Sequence, residues 1–138
     1  MYLIDTSVWI DSLRQADNGP ARFFRSLIAD HAPYGITGVI YQEVLQGARG
    51  PEDFEQLRTY LGSLTFWHPL DPVETYAEAA DLYRRCRASG ITVRSTLDCL
   101  IARLAIEHGL LLVHNDRDYD YIASVEPGLK CVQSGVQH

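Results

Sequence analysis

The stretch TLDCLIARLAIEHGLLLV, residues 96–113, decides the fold class of this chain. Its first part shows the i, i+3, i+4 spacing of a buried helical stripe, formed by Leu97, Leu100, Ile101, Leu104 and His108. This spacing predicts a helix over Thr96–His108 that ends at Gly109. The strand Leu110–Val113 that follows is apolar at every position. Because it lacks polar alternation, we expect it to lie in a parallel sheet, buried between two layers of helices.

Strands and helices alternate on both sides of this stretch. Further strands are predicted at Tyr2–Ile4, Tyr34–Thr37, Thr65–Pro69 and Lys130–Gln133. Further helices are predicted at Ser7–Gln15, Pro20–Ala29, Val39–Arg49, Pro51–Leu64, Pro72–Ala88 and Tyr119–Ala123. This order predicts an α/β domain with a central parallel sheet of four to five strands. Since neither a linker nor a repeat interrupts the chain, residues 1–138 are expected to form one domain.

Composition bears on the location of the protein and on the kind of metal site it can hold. No apolar run approaches the ~20 residues that span a bilayer, and no basic segment precedes the first apolar residues, so neither a membrane span nor a secretory signal is predicted. We therefore expect a cytoplasmic protein. Cys86, Cys99 and Cys131 form no C-x-x-C motif, and the histidines lack ligand spacing. Any metal is thus expected to be held by oxygen atoms.

Four carboxylates fall where a predicted strand passes into a helix, or just inside the helix that follows: Asp5, Glu43, Asp98 and Asp116. Such positions meet at the carboxyl edge of a parallel sheet. Each pair of unit charges about 4 Å apart costs roughly 4 kcal/mol at an effective dielectric constant of ~20, so a divalent cation is expected there. If strands two and three lie on one side of strand one and strand four on the other, Asp5 and Asp116 flank the topological switch point, where α/β sheets bind ligands.

Each acid also has a purely structural explanation. Asp5 is able to cap the first helix, and the helix dipole favours Asp98 in a first turn. Asp116, within Asn-Asp-Arg-Asp, is a plausible turn former. Glu43 is harder to explain in this way, because it lies within a helix at the margin of the apolar stripe. The occurrence of all four at one edge favours a site, and Asp118 is an uncertain fifth member.

The formal net charge of −6 at first argues against a nucleic-acid partner. Five of the acids, however, belong to the predicted site when Asp118 is counted with the other four. Removing those five from −6 leaves −1, and bound cations reverse the local sign. The charge therefore does not exclude a phosphate-containing substrate.

An oxygen-only cluster of this size suits magnesium or manganese, and phosphoryl transfer is the reaction such a cluster favours. Other acidic-site enzymes fit less well. A phosphoaspartate phosphatase needs a second acid two residues after the nucleophile, where this chain has Ser7. A receiver domain needs an acid pair after the first strand and a later lysine, and Lys130 is the only lysine. No glycine-rich nucleotide-binding motif follows a strand.

Three segments together resemble a known family. They are IDTSVWI at residues 4–10, QEVLQG at residues 42–47, and TLDCLIA at residues 96–102, which continues through LVHNDRDY at residues 112–119. In this order and with this chain length they resemble the PIN-domain ribonucleases, specifically the VapC-type toxins of bacterial VapBC toxin–antitoxin pairs. The resemblance extends across essentially the whole chain.

The resemblance implies a three-layer α/β/α PIN-like fold and an endoribonuclease that depends on Mg²⁺ or Mn²⁺ and cuts structured RNA. It gives the catalytic acidic positions to Asp5, Glu43, Asp98 and Asp116 and makes Asp5, Asp98 and Asp116 the expected metal ligands. Supporting roles fall to Thr6, Ser7 and Asp118. Tyr119 replaces the phenylalanine that is more frequent in the family, a change expected to have no effect.

The resemblance also implies partners. A VapB-type antitoxin is expected to lay its C-terminal segment along the toxin and to enter or block the acidic site, and family members usually form homodimers. Two alternatives remain open. The chain could be a non-catalytic interaction module of a toxin–antitoxin repressor complex, or a nuclease that acts on DNA.

Overall fold

The computed structural model describes residues 1–132 and shows an α/β architecture. Its strands are β1 (Tyr2–Ile4), β2 (Tyr34–Thr37), β3 (Thr65–Trp67), β4 (Leu111–Val113) and β5 (Lys130–Cys131). Its helices are α1 (Thr6–Leu13), α2 (Gly19–Ala29), α3 (Gly38–Gln46), α4 (Pro51–Gly62), α5 (Glu74–Ala88), α6 (Thr96–Glu107) and α7 (Asp118–Val125). The predicted alternation of strands and helices is confirmed, with changes at several element ends.

The five strands form one sheet in the order β3-β2-β1-β4-β5, and every pair is parallel. The chain therefore builds outward from β1 in one direction, through β2 and β3, and returns to the other side of β1 with β4. This is the strand order on which the predicted switch point depends. The crevice between the carboxyl ends of β1 and β4 is the place where an open α/β sheet accepts a ligand.

Helices cover the sheet in two groups, and the helices of each group contact one another. Helices α1 to α4 form the first, and α5, α6 and α7 form the second. Crossovers between parallel strands are right-handed, so connections that run in opposite directions along the sheet lie on opposite faces. The result is the expected three-layer α/β/α arrangement. No helix within residues 1–132 combines the length and apolar character needed to cross a bilayer.

The apolar strand after α6 is buried as expected, except at its start. Leu112 and Val113 are almost completely buried between the helical layers. Leu111 opens the strand beside the first residues of β1 and β5, and 39% of its surface is exposed. The strand thus has the predicted parallel partners on both sides, although its burial is complete only toward the carboxyl edge.

Several predicted boundaries were too wide, and each has a local cause. Helix α3 ends at Gln46 rather than Arg49, because Gly47 takes the cap position. Helix α5 begins at Glu74 rather than Pro72, and Asp71 Oδ1 accepts hydrogen bonds from the backbone N of Val73 and of Glu74 in the turn before it. The short strands β3 and β5 end before Pro69 and Gln133, and Gln133 itself lies outside the described residues.

The ends of α5 and α6 depend on glycine. Gly90 has φ +80° and Gly109 has φ +64°, a left-handed conformation that glycine adopts without the strain of a Cβ atom. Gly90 therefore closes α5, and Gly109 closes α6 as predicted. Cys86 and Cys99 are buried free thiols, and Cys131 is a half-buried one.

Close approach of β2 and β3 requires glycine at position 35. A Cβ atom on Gly35 would overlap the backbone carbonyl oxygen of Thr65 and lie 2.8 Å from the Trp67 ring. Both neighbours belong to β3, so a larger residue would force the two parallel strands apart.

Gly35→Ala is therefore expected to lower the free energy of unfolding by about 2 kcal/mol or more, as overpacking in a core does. Gly38→Ala is the matched control, because nothing lies within 4 Å of a Cβ atom at that first position of α3. Its effect should stay within about 0.5 kcal/mol. Urea unfolding followed by circular dichroism measures both, and equal midpoints for the two variants would contradict the strand-spacing explanation.

Candidate active site

Asp5 joins β1 to α1 and is held by three hydrogen-bond donors. Its side chain caps α1: Oδ2 accepts from the Ser7 backbone N at 3.0 Å and from Ser7 Oγ at 2.6 Å. Oδ1 accepts from the Tyr119 hydroxyl at 2.8 Å. The structural explanation of Asp5 as a helix cap is thus correct, and the same contacts fix a nearly buried carboxylate at the carboxyl end of the central strand.

Tyr119 connects Asp5 with Asp98 and is completely buried. Its single hydroxyl proton faces two carboxylates, because the oxygen lies 2.8 Å from Asp5 Oδ1 and 3.3 Å from Asp98 Oδ1. Burial, together with the charges of Asp5 and Asp98, raises the pKa of this phenol well above its usual value, so the hydroxyl remains a donor. The sequence reading treated Tyr119 as a change without effect and did not foresee these contacts.

Glu43 reaches the same edge from α3, where it lies in the second turn. Thr6 Oγ1 donates a 2.6 Å hydrogen bond to Glu43 Oε1, which ties α3 to the start of α1. Helix α3 begins at the carboxyl end of β2 because the Thr37 side chain caps it through the Ile40 backbone N. Thr6 and Ser7 therefore each contact a predicted catalytic acid.

Asp98, Asp116 and Asp118 form the tightest group of carboxylates. Each offers one oxygen atom, and these oxygens all lie within 4.8 Å of one another. Asp98 comes from the first turn of α6, whereas Asp116 and Asp118 lie at the entrance of α7. The Asp118 backbone N donates to Asp116 Oδ1 at 2.9 Å. Asp118, the uncertain member in the sequence, thus lies among the acids.

We call these five residues, Asp5, Glu43, Asp98, Asp116 and Asp118, the acidic cluster. Asp5 is not part of the tight group of three, although Tyr119 links it to Asp98. The structure brings all the predicted acids to the carboxyl edge, where Thr6, Ser7 and Tyr119 donate hydrogen bonds to Glu43, Asp5 and Asp98. The choice of Asp5, Asp98 and Asp116 as the metal ligands stays a prediction.

Arg94 supplies positive charge to one side of the acidic cluster. Its Nη2 lies 2.9 Å from Asp116 Oδ1, and its Nε lies 3.1 Å from Asp118 Oδ2. The Arg94 backbone N also donates to Asp118 Oδ2 at 3.1 Å. The sequence had left Arg94 without a location.

The loop that carries Asp116 is fastened to α1 by a second set of contacts. The Asn115 backbone N donates to Ser7 Oγ, and Asn115 Nδ2 donates to Asp11 Oδ2 at 2.8 Å. His114 is buried, which lowers the pKa of its imidazole, and its Nδ1 accepts from the Asp116 backbone N. The Asp11 side chain is half-buried and anchors this loop.

Burial and the neighbouring acids together shift the protonation of Asp98. Burial raises the pKa of the Asp98 carboxyl to about 7, and the charges of Asp5 and Asp116 add to that effect. Both effects disfavour the ionised form of Asp98. A group of close carboxylate oxygens with a raised pKa fits a hard divalent cation, since such ions prefer oxygen ligands.

The fold and the site define a class: an α/β domain with a parallel sheet and an acidic cluster at its topological switch point. The PIN domain family matches residues 2–125 of this chain. The chain belongs to the PIN domain family. It is 37% identical over 126 residues to ribonuclease VapC11 of Mycobacterium tuberculosis, an alignment that covers 91% of this chain and 93% of that protein.

Solved structures show the same fold at low sequence identity. VapBC-1 from nontypeable Haemophilus influenzae has a TM-score of 0.70 at 16% identity, covering 97% of this chain and 98% of that one. VapBC2 from Rickettsia felis, bound to a DNA fragment from its promoter, has a TM-score of 0.67 at 18% identity, covering 95% and 96%. These likenesses confirm the predicted PIN-like α/β/α fold.

The raised pKa of Asp98 predicts a pH-dependent stability of the metal-free protein. An unfolded Asp loses its proton near pH 3.8, whereas the folded Asp98 keeps it until about pH 7. Folding therefore loses up to about 1.4 kcal/mol per pH unit as the pH rises through this window, with no further loss above it. Thermal unfolding in EDTA from pH 4 to 8 should show a steeper decline for the wild type than for Asp98→Asn. If the stability of the wild type and that of Asp98→Asn fall equally with pH, Asp98 is not the source of the pH dependence.

Tyr119→Phe should destabilise the metal-free protein by about 1 to 3 kcal/mol, because two close carboxylates lose their shared hydrogen-bond donor. Bound Mn²⁺ should reduce this difference, since the cation then offsets the same repulsion. Tyr34→Phe is the control: its hydroxyl bonds to that of Tyr60, 2.8 Å away and outside the acidic cluster. Urea unfolding with EDTA and with Mn²⁺ tests this. If Mn²⁺ does not reduce the loss of stability in Tyr119→Phe, the Tyr119 hydroxyl does not act by offsetting the repulsion between the carboxylates.

Proposed function

We propose that this protein is the toxin of a type II toxin–antitoxin pair and an endoribonuclease that depends on Mg²⁺ or Mn²⁺. The observation that carries the proposal is the gathering of five carboxylates at the switch point of a PIN-domain sheet. The relatives support it, because VapC11 is named a ribonuclease and is 37% identical to this chain. We treat residues 1–138 as one domain, since the described strands share a single sheet.

The acidic cluster fits the metal through its donor set. We assign direct contacts with the cation to Asp98, Asp116 and Asp118, whose oxygens are closest, together with Asp5 as predicted from the sequence. When bound, the cation supplies Lewis-acid polarisation of a phosphodiester and neutralises charge that develops on its oxygens.

The remaining groups of the site orient the acids or accept a proton. Ser7 and Tyr119 hold Asp5 in one orientation through three hydrogen bonds, so its position does not depend on the cation alone. Thr6 engages Oε1 of Glu43, and within residues 1–132 no hydrogen bond engages Oε2. We assign to that second oxygen the role of accepting a proton from the attacking water, as the water oxygen bonds to phosphorus and the P–O bond to the leaving ribose oxygen breaks.

A VapB-type antitoxin is the partner that we propose for this chain. The structural relatives include VapBC complexes, in which the corresponding fold is found with an antitoxin. Helices α1, α3 and α4 line a cleft of about 530 Å³ that has an apolar floor, including Ile10, Val44 and Leu57, and a charged rim with Arg14 and Arg49. An amphipathic antitoxin segment suits this lining. A homodimer stays a prediction from the resemblance.

Incubation of the purified protein with total cellular RNA tests the nuclease assignment. Cleavage should require Mg²⁺ or Mn²⁺, stop with EDTA, and fall by about a hundredfold or more in Asp5→Asn and Asp98→Asn, because each variant removes a charged member of the acidic cluster. Asp81→Asn is the control, since Asp81 pairs with Arg84 and Arg85 on the surface of α5.

Parallel reactions with tRNA, single-stranded DNA and duplex DNA separate the alternatives. Preference for either DNA would replace the ribonuclease proposal with a DNA nuclease. A wild type that cuts none of them under these conditions would favour a non-catalytic module of a repressor complex.

A further inference from the structure

Arg94 lies at the solvent-facing side of the acidic cluster, in the segment between α5 and α6. Within residues 1–132, every ion pair of a cluster acid is made with this one arginine. Its Nε and Nη2 contact two different carboxylates, Asp118 and Asp116, while 71% of the side chain remains exposed. An arginine in this position neutralises part of the cluster and also faces the side from which a substrate arrives.

The side chain of Arg94 is not needed to hold Asp118 in place. The Asp118 carboxylate is 5% exposed and accepts a second hydrogen bond, from the Arg94 backbone N, at 3.1 Å. Asp116 is positioned separately, through the backbone amides of Asp118 and of its own residue. The guanidinium itself is largely exposed, so water screens its ion pairs with the two acids. The guanidinium is therefore able to leave its partners while both carboxylates keep their backbone contacts.

A divalent cation and the guanidinium compete for the same charge. Asp116 and Asp118 belong to the tight group of oxygens that fits a cation, and these are the two acids that Arg94 engages. Two positive groups on the same carboxylates repel each other. A cation bound by these oxygens would therefore disfavour the inward position of Arg94 and leave its planar donors available on the solvent side.

We propose that Arg94 is a phosphate-binding residue of the site: it is the internal counter-charge of the metal-free cluster and, once a divalent cation binds, donates to a non-bridging oxygen of the RNA phosphodiester. This inference rests on the proposed ribonuclease function. The guanidinium fork suits phosphate, because its parallel N–H donors match two phosphate oxygens. It also provides the local positive charge that an acidic protein needs in order to approach a polyanion.

The two roles of Arg94 predict that Arg94→Gln strengthens Mn²⁺ binding and weakens RNA cleavage. Without the Arg94 guanidinium, which competes with the metal for Asp116 and Asp118, Mn²⁺ should bind about threefold more tightly or better. Loss of the phosphate contact should lower kcat/KM for RNA by about tenfold or more, chiefly through a higher KM, because a hydrogen bond from a charged group to substrate is removed. Arg94→Lys keeps the charge without the fork and should restore part of the activity.

Mn²⁺ affinity is measured by calorimetry and cleavage with a labelled RNA, on the full chain in both cases. Arg58→Gln is the matched control, since Arg58 is similarly exposed and, among residues 1–132, pairs only with Glu55 of its own helix. Tighter Mn²⁺ binding together with weaker RNA cleavage supports the proposal. Arg94→Gln that behaves like Arg58→Gln overturns it, and so does a joint loss of Mn²⁺ affinity and activity, which would mean that Arg94 only holds the acids in place.

The failure of this inference is distinguishable from the failure of the proposed function. A wild type that binds Mn²⁺ but cuts no RNA overturns the ribonuclease assignment, and the phosphate role of Arg94 with it. A wild type that cuts RNA while Arg94→Gln cuts equally well overturns the role of Arg94 alone.

Discussion

Repulsion among carboxylates at one edge of a parallel sheet is the constraint on which the rest of this molecule depends. The sheet order puts the carboxyl end of β1 beside that of β4, and the helices that follow the strands begin at the same edge. Each acid of the cluster is therefore brought in by the fold itself. The cost of this arrangement is visible in Asp98, since burial and its charged neighbours raise the pKa of that carboxyl to about 7.

The protein offsets this cost with hydrogen-bond donors drawn from distant parts of the chain. Thr6 and Ser7 at the start of α1 serve Glu43 and Asp5, and Tyr119 from α7 lies between Asp5 and Asp98. A carboxylate that accepts several hydrogen bonds is stabilised in its charged form and held in one orientation. The hydrogen bonds that stabilise the metal-free fold thus also hold the carboxylate oxygens in orientations that suit a cation.

The sequence was sufficient for the fold class because the signals were local. An apolar strand after a periodic helix predicts a buried parallel strand, and the acids at strand ends then follow from the geometry of such sheets. Side-chain contacts across the fold were not predictable in this way. Tyr119 meets an acid 114 residues earlier, and Arg94 meets acids 22 and 24 residues later, through loops whose paths no periodicity encodes. Boundaries shifted where a local feature ended an element early, as Gly47 does at the cap position of α3.

This arrangement explains how a protein with a negative net charge can suit a polyanionic substrate. A formal charge of −6 is unfavourable for binding a polyanion when it is spread over a surface, but here much of it is concentrated where a divalent cation fits. An arginine is better suited than a lysine to stand beside such a cluster. The flat guanidinium reaches Asp116 and Asp118 with separate nitrogens, whereas an ammonium group is a single compact charge. Because both acids keep backbone donors, the arginine is free to change partners, and the sign of the charge that faces the substrate then depends on what occupies the cluster.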